Sequence, residues 1–133
     1  MKGQNNFYNV FVNGTLVQVV STKSRVSHYP LEWRFDPNES TKVLITKRTE
    51  AQVSTKEENF LGLEVDDSAS LVALPPAAER RLEFLGDSIT CGFGILARGN
   101  SPGCKNPEGR VEDNWVTYGP LVSRRFGGEQ TSL

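Results

Sequence analysis

Residues 81–94 read RLEFLGDSITCGFG, and this stretch decides how the chain is interpreted. Its apolar first half stops abruptly at Gly86-Asp87-Ser88, after which small residues dominate. An apolar run that ends in a glycine-containing turn is typical of a buried strand followed by a tight connection. The pattern therefore predicts a strand over Arg81–Leu85 that presents the serine at its carboxyl end.

A serine in this position suits nucleophilic chemistry. Its hydroxyl is weak on its own and needs a positioned base, together with backbone donors for a developing oxyanion. If the turn leads into a helix, the first amides of the helix and its dipole supply part of this. The candidate catalytic residue is Ser88, and the backbone N–H groups of Gly86, Asp87 and Ser88 are the candidate oxyanion and turn-supporting donors. The Asp87 carboxylate is expected to accept from local N–H groups. Gly-Asp-Ser taken alone also fits an ordinary turn or a helix N-cap.

The general base is the missing part. The sequence contains a single histidine, His28, in the polar stretch VSHYP well before Ser88. We expect His28 to be a solvated loop residue. The sequence therefore predicts the first part of a serine hydrolase, without the residue that would act as its general base.

The composition excludes several classes. The net charge is −1, the pI is about 5.9, and acidic and basic residues are interspersed, so neither nucleic acid nor an anionic membrane is indicated as a partner. No apolar run approaches the roughly 18 residues of a membrane span, and the start does not resemble a signal peptide. Cys91 and Cys104 are compatible with a disulfide, although two cysteines form no framework and unpaired thiols are favoured.

The first part of the chain has the pattern of an all-β domain. Asn13-Gly14 lies between two alternating apolar runs, which is a strong hairpin signal. Several short strands follow with no strong helix between them, which favours a β-sandwich or jelly roll over residues 1–76. The strands predicted are Phe7–Val12, Thr15–Val20, Leu31–Phe35, Thr41–Arg48, Phe60–Val65 and Ser70–Leu74.

Pro75-Pro76 marks the predicted domain boundary, and the pattern changes over residues 77–133. A Gly/Pro-rich loop is followed by a predicted helix over residues 111–126, with Asp113 as its N-cap and Gly127-Gly128 at its end. Pro120 implies a kink or a later start. The apolar side of this helix is expected to be core, and it comprises Trp115, Tyr118, Leu121, Val122 and Phe126.

The motif Gly86-Asp87-Ser88-Ile89 resembles the first sequence block of the GDSL esterases, also called SGNH hydrolases. The longer string Leu82–Gly94 is similar to that of carbohydrate esterase family 2, in which a jelly-roll domain precedes the catalytic domain. Lys47-Arg48-Thr49-Glu50 followed by Phe60-Leu61-Gly62 also fits this family's β-domain. The resemblance extends from about Phe7 to Phe126.

The resemblance implies a jelly-roll domain lacking its first strands, followed by the start of a three-layer α/β SGNH-hydrolase domain. It implies a secreted, extracellular parent protein that removes O-acetyl groups from plant cell-wall xylan or mannan, with Ser88 as nucleophile and no metal or organic cofactor. The family's later oxyanion residues and catalytic histidine match nothing here. The chain is therefore expected to be truncated and catalytically incomplete; its substrate-binding residues stay unassigned.

Two other functions stay open. One is a non-catalytic, carbohydrate-binding β-sandwich remnant, and the other is a lipase-like GDSL esterase with a preference for longer acyl chains. Tyr8, Tyr29 and Trp33 fit a sugar-stacking platform, although core packing is favoured. Lys47, Arg48 and Glu50 fit a solvated strand end and an inter-domain ion-pair cluster equally well. For Asp113 and Asn114, capping is favoured over an approach to the site.

Overall fold

The computed structural model describes residues 6–22, 26–50, 59–99 and 109–132. Two small sheets are present in this part of the chain, one antiparallel and one parallel. In chain order the elements are the strands β1 (Phe7–Val12), β2 (Thr15–Ser21), β3 (Val43–Lys47) and β4 (Arg81–Phe84), the 3₁₀ turns Gly109–Val111 and Asn114–Val116, the helix α1 (Tyr118–Arg125) and the strand β5 (Glu129–Ser132).

The antiparallel sheet has the strand order β2-β1-β3. Its hairpin turns at Asn13 and Gly14, which have φ angles of +49° and +84°. A two-residue hairpin turn with both central φ angles positive matches the twist of the strands, and Asn-Gly tolerates it best. The amide of Asn13 donates to the carbonyl of Lys42 at 2.9 Å, and the Asn13 side chain accepts from the Lys42 amide at 2.9 Å. The predicted hairpin is confirmed, and its turn also aligns β3.

The buried apolar residues of the described part lie on the central strand. Val10, Phe11 and Val12 have little or no exposure, and Val12 has none. The Phe11 ring packs against Trp115 with a centroid distance of 4.9 Å. The core therefore joins the antiparallel sheet to the segment just before α1.

The second sheet is a parallel pair, β4 and β5, in which Phe84 is opposite Ser132. Parallel strands require a crossover, and α1 is the helical part of it. A Cβ on Gly119 would lie 3.2 Å from the Phe84 ring, so glycine allows close contact between helix and strand. The helix ends in a Schellman motif, because the amide of Gly128 donates to the carbonyl of Ser123 at 2.9 Å while Gly127 has φ +62°.

Three of the predicted strands are wrong. The segments Leu31–Phe35, Phe60–Val65 and Ser70–Leu74 contain no strand in the structure. Apolar alternation describes a side-chain pattern, but a strand also needs a neighbouring backbone for its hydrogen bonds. Large apolar side chains in these segments stay exposed, for example Phe60 and Leu71. The described part therefore shows a three-stranded sheet, and the predicted jelly roll is not confirmed.

The helix predicted over residues 111–126 begins only at Tyr118. Pro120 explains the late start, since it lies in the first turn, where amides have no intrahelical partner. Asp113 caps the preceding 3₁₀ turn, its carboxylate accepting from the Trp115 amide at 3.1 Å. The predicted apolar core face is wrong for several members. The helix buries its small residues Gly119, Pro120 and Ser123, whereas Tyr118, Leu121, Val122 and Phe126 are exposed. No helix of the described residues is long and apolar enough to cross a membrane.

Candidate active site

Ser88 follows β4 closely, separated from Phe84 by Leu85-Gly86-Asp87. Its side chain is half-buried, while its apolar neighbours Leu85 and Ile89 are 76% and 74% exposed. The serine therefore lies on an open surface at the carboxyl end of the strand. Two shallow cavities, of about 200 Å³ beside β4 and β5 and about 370 Å³ beside β3, are both lined by other residues.

Asp87 organises the backbone around the serine. Its carboxylate Oδ1 accepts a hydrogen bond from the Ile89 amide at 3.0 Å, forming the local turn that short acidic side chains favour. Among the described residues, no acceptor is recorded for the Ser88 amide. An unused N–H next to the serine hydroxyl is the type of donor that an oxyanion requires.

The chain beyond the serine forms consecutive turns. We call residues 87–96 the serine turn. The amide of Phe93 donates to the carbonyl of Ser88 at 2.8 Å, and the amide of Gly92 donates to that of Ile89 at 3.0 Å. Gly92 and Gly94 have φ angles of +90° and +74°, which interrupt any helix at this point. The serine turn therefore does not continue directly into a helix, and no helix dipole points at Ser88 from this segment.

A hydrogen bond ties the serine turn to α1. The hydroxyls of Thr90 and Tyr118 are 2.7 Å apart. The Tyr118 ring meets Phe84 edge to face, with a centroid distance of 5.8 Å. A Cβ at Gly86 would overlap the Thr90 side chain, so glycine is required where the chain leaves β4. These contacts hold both ends of the Gly86-Asp87-Ser88 corner.

A second set of contacts ties the serine turn to residues 111–114, which we call the bridge segment. The amide of Leu96 donates to Val111 at 3.0 Å, and that of Asp113 donates to the carbonyl of Gly92 at 3.4 Å. The side-chain amide of Asn114 reaches the carbonyl of Thr90 at 3.4 Å. Asn114 thus approaches the serine turn, whereas its position in the sequence favours a capping role.

The other side of the bridge segment contacts the antiparallel sheet through buried polar groups. The Asn9 side-chain amide donates to Asp113 Oδ1 at 2.9 Å. Arg48 Nε lies 3.7 Å from Asp113 Oδ2 and donates to the carbonyl of Glu112 at 3.0 Å. The Arg48 carbonyl accepts from the Asn114 amide at 3.0 Å. Of the two interpretations left open, Arg48 thus belongs to a buried ion-pair cluster, whereas Lys47 is exposed.

Glu112 is a fully buried carboxyl group beside this cluster. Its Oε2 accepts from the Glu50 amide at 3.1 Å, and its Oε1 is buried without a hydrogen-bond partner. Burial raises the pKa of Glu112, and the nearby Glu50 charge adds to the increase, while the hydrogen bond from the Glu50 amide opposes it. A buried carboxyl with an unused oxygen favours its protonated form.

The thiol of Cys91 lies within the serine turn. Burial raises its pKa, and the carboxyl groups of Glu50, Glu112 and Asp87 raise it further when they are ionised. A raised pKa keeps the thiol protonated and poorly nucleophilic, so Cys91 does not compete with Ser88. The structure records Cys91 as a free thiol. Cys104 lies outside the described residues, and so does any pairing between the two.

His28 and the upstream aromatic residues lie at the surface. His28 Nδ1 is 3.1 Å from Glu64 Oε1, and its side chain is 75% exposed. No contact within the described part joins it to Ser88. Tyr29 and Trp33 are 37% and 40% exposed, so the core packing expected for them is wrong. No group of three or more histidine, cysteine, aspartate or glutamate side chains suited to a metal occurs in the described ranges.

The comparisons with known proteins give a consistent result. No model of a protein family matches the chain. The acetylxylan esterase / glucomannan deacetylase of Cellvibrio japonicus is 31% identical over 93% of the chain. The cellulase/esterase CelE of Acetivibrio thermocellus is 36% identical over 95% of it. Among solved structures, a family two carbohydrate esterase from Clostridium thermocellum, in complex with cellohexaose, covers 98% of the chain with 27% identity and a TM-score of 0.85.

The chain is similar in sequence and structure to family 2 carbohydrate esterases. The chain is also similar to the crystal structure of a Corynascus carbohydrate esterase family 2 enzyme that carries a carbohydrate-binding domain, with a TM-score of 0.70 and 25% identity. This chain spans only 32% and 13% of the two curated relatives and 38% of the Clostridium thermocellum structure. The matches cover 93% or more of the chain. The region that resembles these esterases therefore includes both the antiparallel sheet and the serine turn.

Proposed function

We propose that this chain is part of a serine carbohydrate esterase that removes O-acetyl groups from plant cell-wall polysaccharides such as xylan or mannan. One observation carries the proposal. Ser88 is half-buried at the end of β4, beside its own amide, for which the described residues provide no acceptor, in a chain similar along its length to family 2 carbohydrate esterases. The deacetylase named among the relatives supports the acetyl ester as the bond that is cleaved.

The proposed reaction is acyl transfer through Ser88. Its Oγ attacks the acetyl carbonyl carbon while a base takes the hydroxyl proton, and the Ser88 amide donates to the resulting oxyanion. Collapse of the tetrahedral intermediate breaks the bond to the sugar oxygen, which leaves as a hydroxyl with the returned proton. Water then attacks the acetyl-enzyme and releases acetate, and Ser88 recovers its proton. No step requires a metal or an organic cofactor.

We assign the general base for Ser88 to another part of the parent protein, and not to the residues described above. His28 is 75% exposed and lies 3.1 Å from Glu64, and no contact among the described residues joins it to Ser88. Because this chain spans about a third or less of its curated relatives, we place the base in a part of the parent protein that this sequence does not include.

We also propose two domains within the chain, with a boundary at Pro75-Pro76. Residues 1–76 form a β-domain of jelly-roll type, and residues 77–133 form the first part of an SGNH-type α/β domain. The antiparallel sheet supports the first assignment, and the parallel pair β4–β5 with α1 supports the second. Parallel strands are normally covered on both faces, and the exposure of Leu85 beside β4 supports a larger sheet in the parent protein. We propose an extracellular location, where polysaccharide substrates are found.

The test is acetate release by the protein expressed from the intact gene. Acetylated xylan and acetylated glucomannan serve as substrates, and Ser88→Ala is compared with Ser70→Ala, a serine in an exposed segment. We expect Ser88→Ala to abolish release and Ser70→Ala to leave it unchanged. Comparable release by Ser88→Ala would overturn the proposal. Faster hydrolysis of octanoyl than of acetyl aryl esters would favour the lipase-like alternative.

A second candidate, a non-catalytic glycan-binding protein, is favoured by one observation. Trp33 is 40% exposed on a segment without regular structure, where an aromatic face can stack on a sugar ring. Calorimetry with xylohexaose and cellohexaose distinguishes the two functions. Saturable binding that is lost in Trp33→Ala and indifferent to Ser88→Ala, without acetate release, would establish the binding function.

A further inference from the structure

We propose that Asp113 is a positioning residue for Ser88. Its carboxylate is fixed by Asn9 and Arg48 of the antiparallel sheet, and its backbone forms the support on which the serine turn rests. The sheet thereby fixes where Ser88 lies. This inference depends on the proposed function of Ser88 as nucleophile.

The carboxylate of Asp113 is held from two sides. Oδ1 accepts from the Asn9 side-chain amide at 2.9 Å and from the Trp115 backbone amide at 3.1 Å. Oδ2 lies 3.7 Å from Arg48 Nε, and both side chains of this pair are less than a tenth exposed. A buried charge with three separate partners has one low-energy orientation, since any other leaves a group unpaired away from water. The bridge segment is therefore fixed relative to the sheet.

The backbone of Asp113 contacts the serine turn directly. Its amide donates to the carbonyl of Gly92 at 3.4 Å. A Cβ at Gly92 would lie 2.7 Å from the Asp113 carbonyl oxygen, so the two backbones are as close as a glycine allows. The next residue, Asn114, reaches the carbonyl of Thr90 with its side chain at 3.4 Å. The serine turn thus rests on the same backbone that the carboxylate fixes.

This arrangement has a catalytic consequence. Acyl transfer requires the nucleophile within a narrow range of positions, and a misplacement of about 1 Å costs roughly 100-fold in rate. Ser88 lies in a series of turns whose amides bond over three to five residues, without the regular ladder of a helix. Such a segment opens locally at low free-energy cost unless other elements hold it. Asp113 supplies this support from outside the active site.

Cys91 provides a reporter inside the serine turn that requires no catalysis. In a Cys104→Ser background it is the only thiol of the chain, because the sequence contains two cysteines. Its thiol is half-buried, so opening of the turn increases the rate at which it reacts with a maleimide. The variants are Asn9→Ala, which removes one support, and Asp113→Asn, which keeps the shape but removes the charge. Val12→Ala is the matched control, because Val12 is fully buried in the same strand as Asn9 and does not contact Asp113 in any recorded hydrogen bond.

Labelling is measured across low urea concentrations. We expect Asn9→Ala and Asp113→Asn to increase the labelling rate about tenfold to 100-fold, the factor that a lost buried hydrogen bond to a charged group represents. The labelling rate of these two variants should not change with urea concentration, which identifies local opening of the turn. The labelling rate of Val12→Ala should rise with urea, because it follows global unfolding. Equal, urea-dependent labelling in all three variants would overturn the proposal. If Asn9→Ala fails to fold, the isosteric Asp113→Asn decides alone.

A kinetic measurement separates this proposal from the esterase assignment. In the protein expressed from the intact gene, both variants should lower kcat for an aryl acetate about tenfold or more while KM stays within about twofold. Unchanged kcat with increased labelling would overturn the positioning role. If the unmodified protein shows no Ser88-dependent hydrolysis while the labelling results are as expected, the proposed function fails, and the support of the serine turn by Asp113 stands as a structural property.

Discussion

Arg48 and Asp113 form an ion pair in which Nε lies 3.7 Å from Oδ2 and each side chain is less than a tenth exposed. Arg48 directly follows β3, and Asp113 lies between the serine turn and α1. The pair therefore joins the antiparallel sheet to the part of the chain that carries the candidate nucleophile. Arg48 also donates to the carbonyls of Glu112 and Arg110, so its loss affects two backbone acceptors and one side-chain partner at once.

Substitution Arg48→Met should destabilise the protein by roughly 3 kcal/mol or more. Breaking a buried pair by removing one partner leaves the other charge without compensation, which typically costs about 3–5 kcal/mol. The matched control is Arg81→Met, since Arg81 and Glu129 form a pair at 3.8 Å with side chains that are 79% and 50% exposed. Exposed pairs contribute about 0–1 kcal/mol. Urea unfolding followed by circular dichroism measures both, and equal losses would contradict the assigned burial.

Substitution Gly92→Ala should be more damaging than the same change at another glycine with positive φ. At Gly92, with φ +90°, an added Cβ meets the Asp113 carbonyl oxygen at 2.7 Å. At Gly127, with φ +62°, no atom lies within 4 Å of the added Cβ. Gly127→Ala therefore measures backbone strain alone, about 1–3 kcal/mol. The excess loss in Gly92→Ala measures the close contact between the serine turn and the bridge segment.

The local features could be predicted from the sequence because a few neighbouring residues determine them. Asn13-Gly14 specifies its hairpin through the φ angles that the turn requires, and Asp87 bonds to an amide two residues away. Pro120 predicted a kink or a late helix start for an equally local reason, and the late start is the one observed. In these cases the residue type and its immediate backbone are sufficient to determine the local structure.

The contacts that support the site could not be predicted in the same way. Arg48 at a strand end looks the same in sequence whether it is solvated or buried, and only the fold brings Asn9 and Asp113 within 2.9 Å of each other. Glu112 gave no signal, because a lone glutamate is usually exposed. The three strands predicted in error show the same limit, since the alternation of Phe60–Val65 cannot reveal whether a neighbouring strand is present.

Stability should depend on pH through Glu112. Its pKa is raised above the ordinary value of 4.5 by burial, so at a pH between the unfolded and the folded pKa the folded state holds a proton that the unfolded state has released. The stabilisation is fully present below about pH 4.5, the value expected for the unfolded chain, and is lost as the pH rises through the raised folded pKa. Glu112→Gln is neutral at every pH and lacks this loss.

The measurement is the free energy of unfolding in urea between pH 4 and pH 8. The stability of Glu112→Gln relative to the unmodified chain should increase with pH. The side-chain amide that Glu112→Gln introduces has hydrogen atoms without acceptors, and they lower the free energy of unfolding by the same amount at every pH. This constant difference does not alter how the relative stability changes with pH. Glu83→Gln, at an exposed position on β4, is the control and should run parallel to the unmodified chain. If the profile of Glu112→Gln ran parallel to that of the unmodified chain, the Glu112 carboxyl would have the same pKa in the folded and the unfolded state.

The chain of 133 residues should hydrolyse an aryl acetate no faster than its Ser88→Ala variant. Its only imidazole belongs to His28, which is exposed and paired with Glu64, so among the described residues no imidazole contacts the Ser88 hydroxyl to take its proton. Loss of the base in serine hydrolases costs several orders of magnitude in rate. Initial rates and the first turnover of nitrophenol release from p-nitrophenyl acetate are compared at equal protein concentrations, with Ser70→Ala as a second reference. A burst or a steady rate that depends on Ser88 would mean that this chain contains a base of its own, and the search for it would begin with the groups around the serine turn.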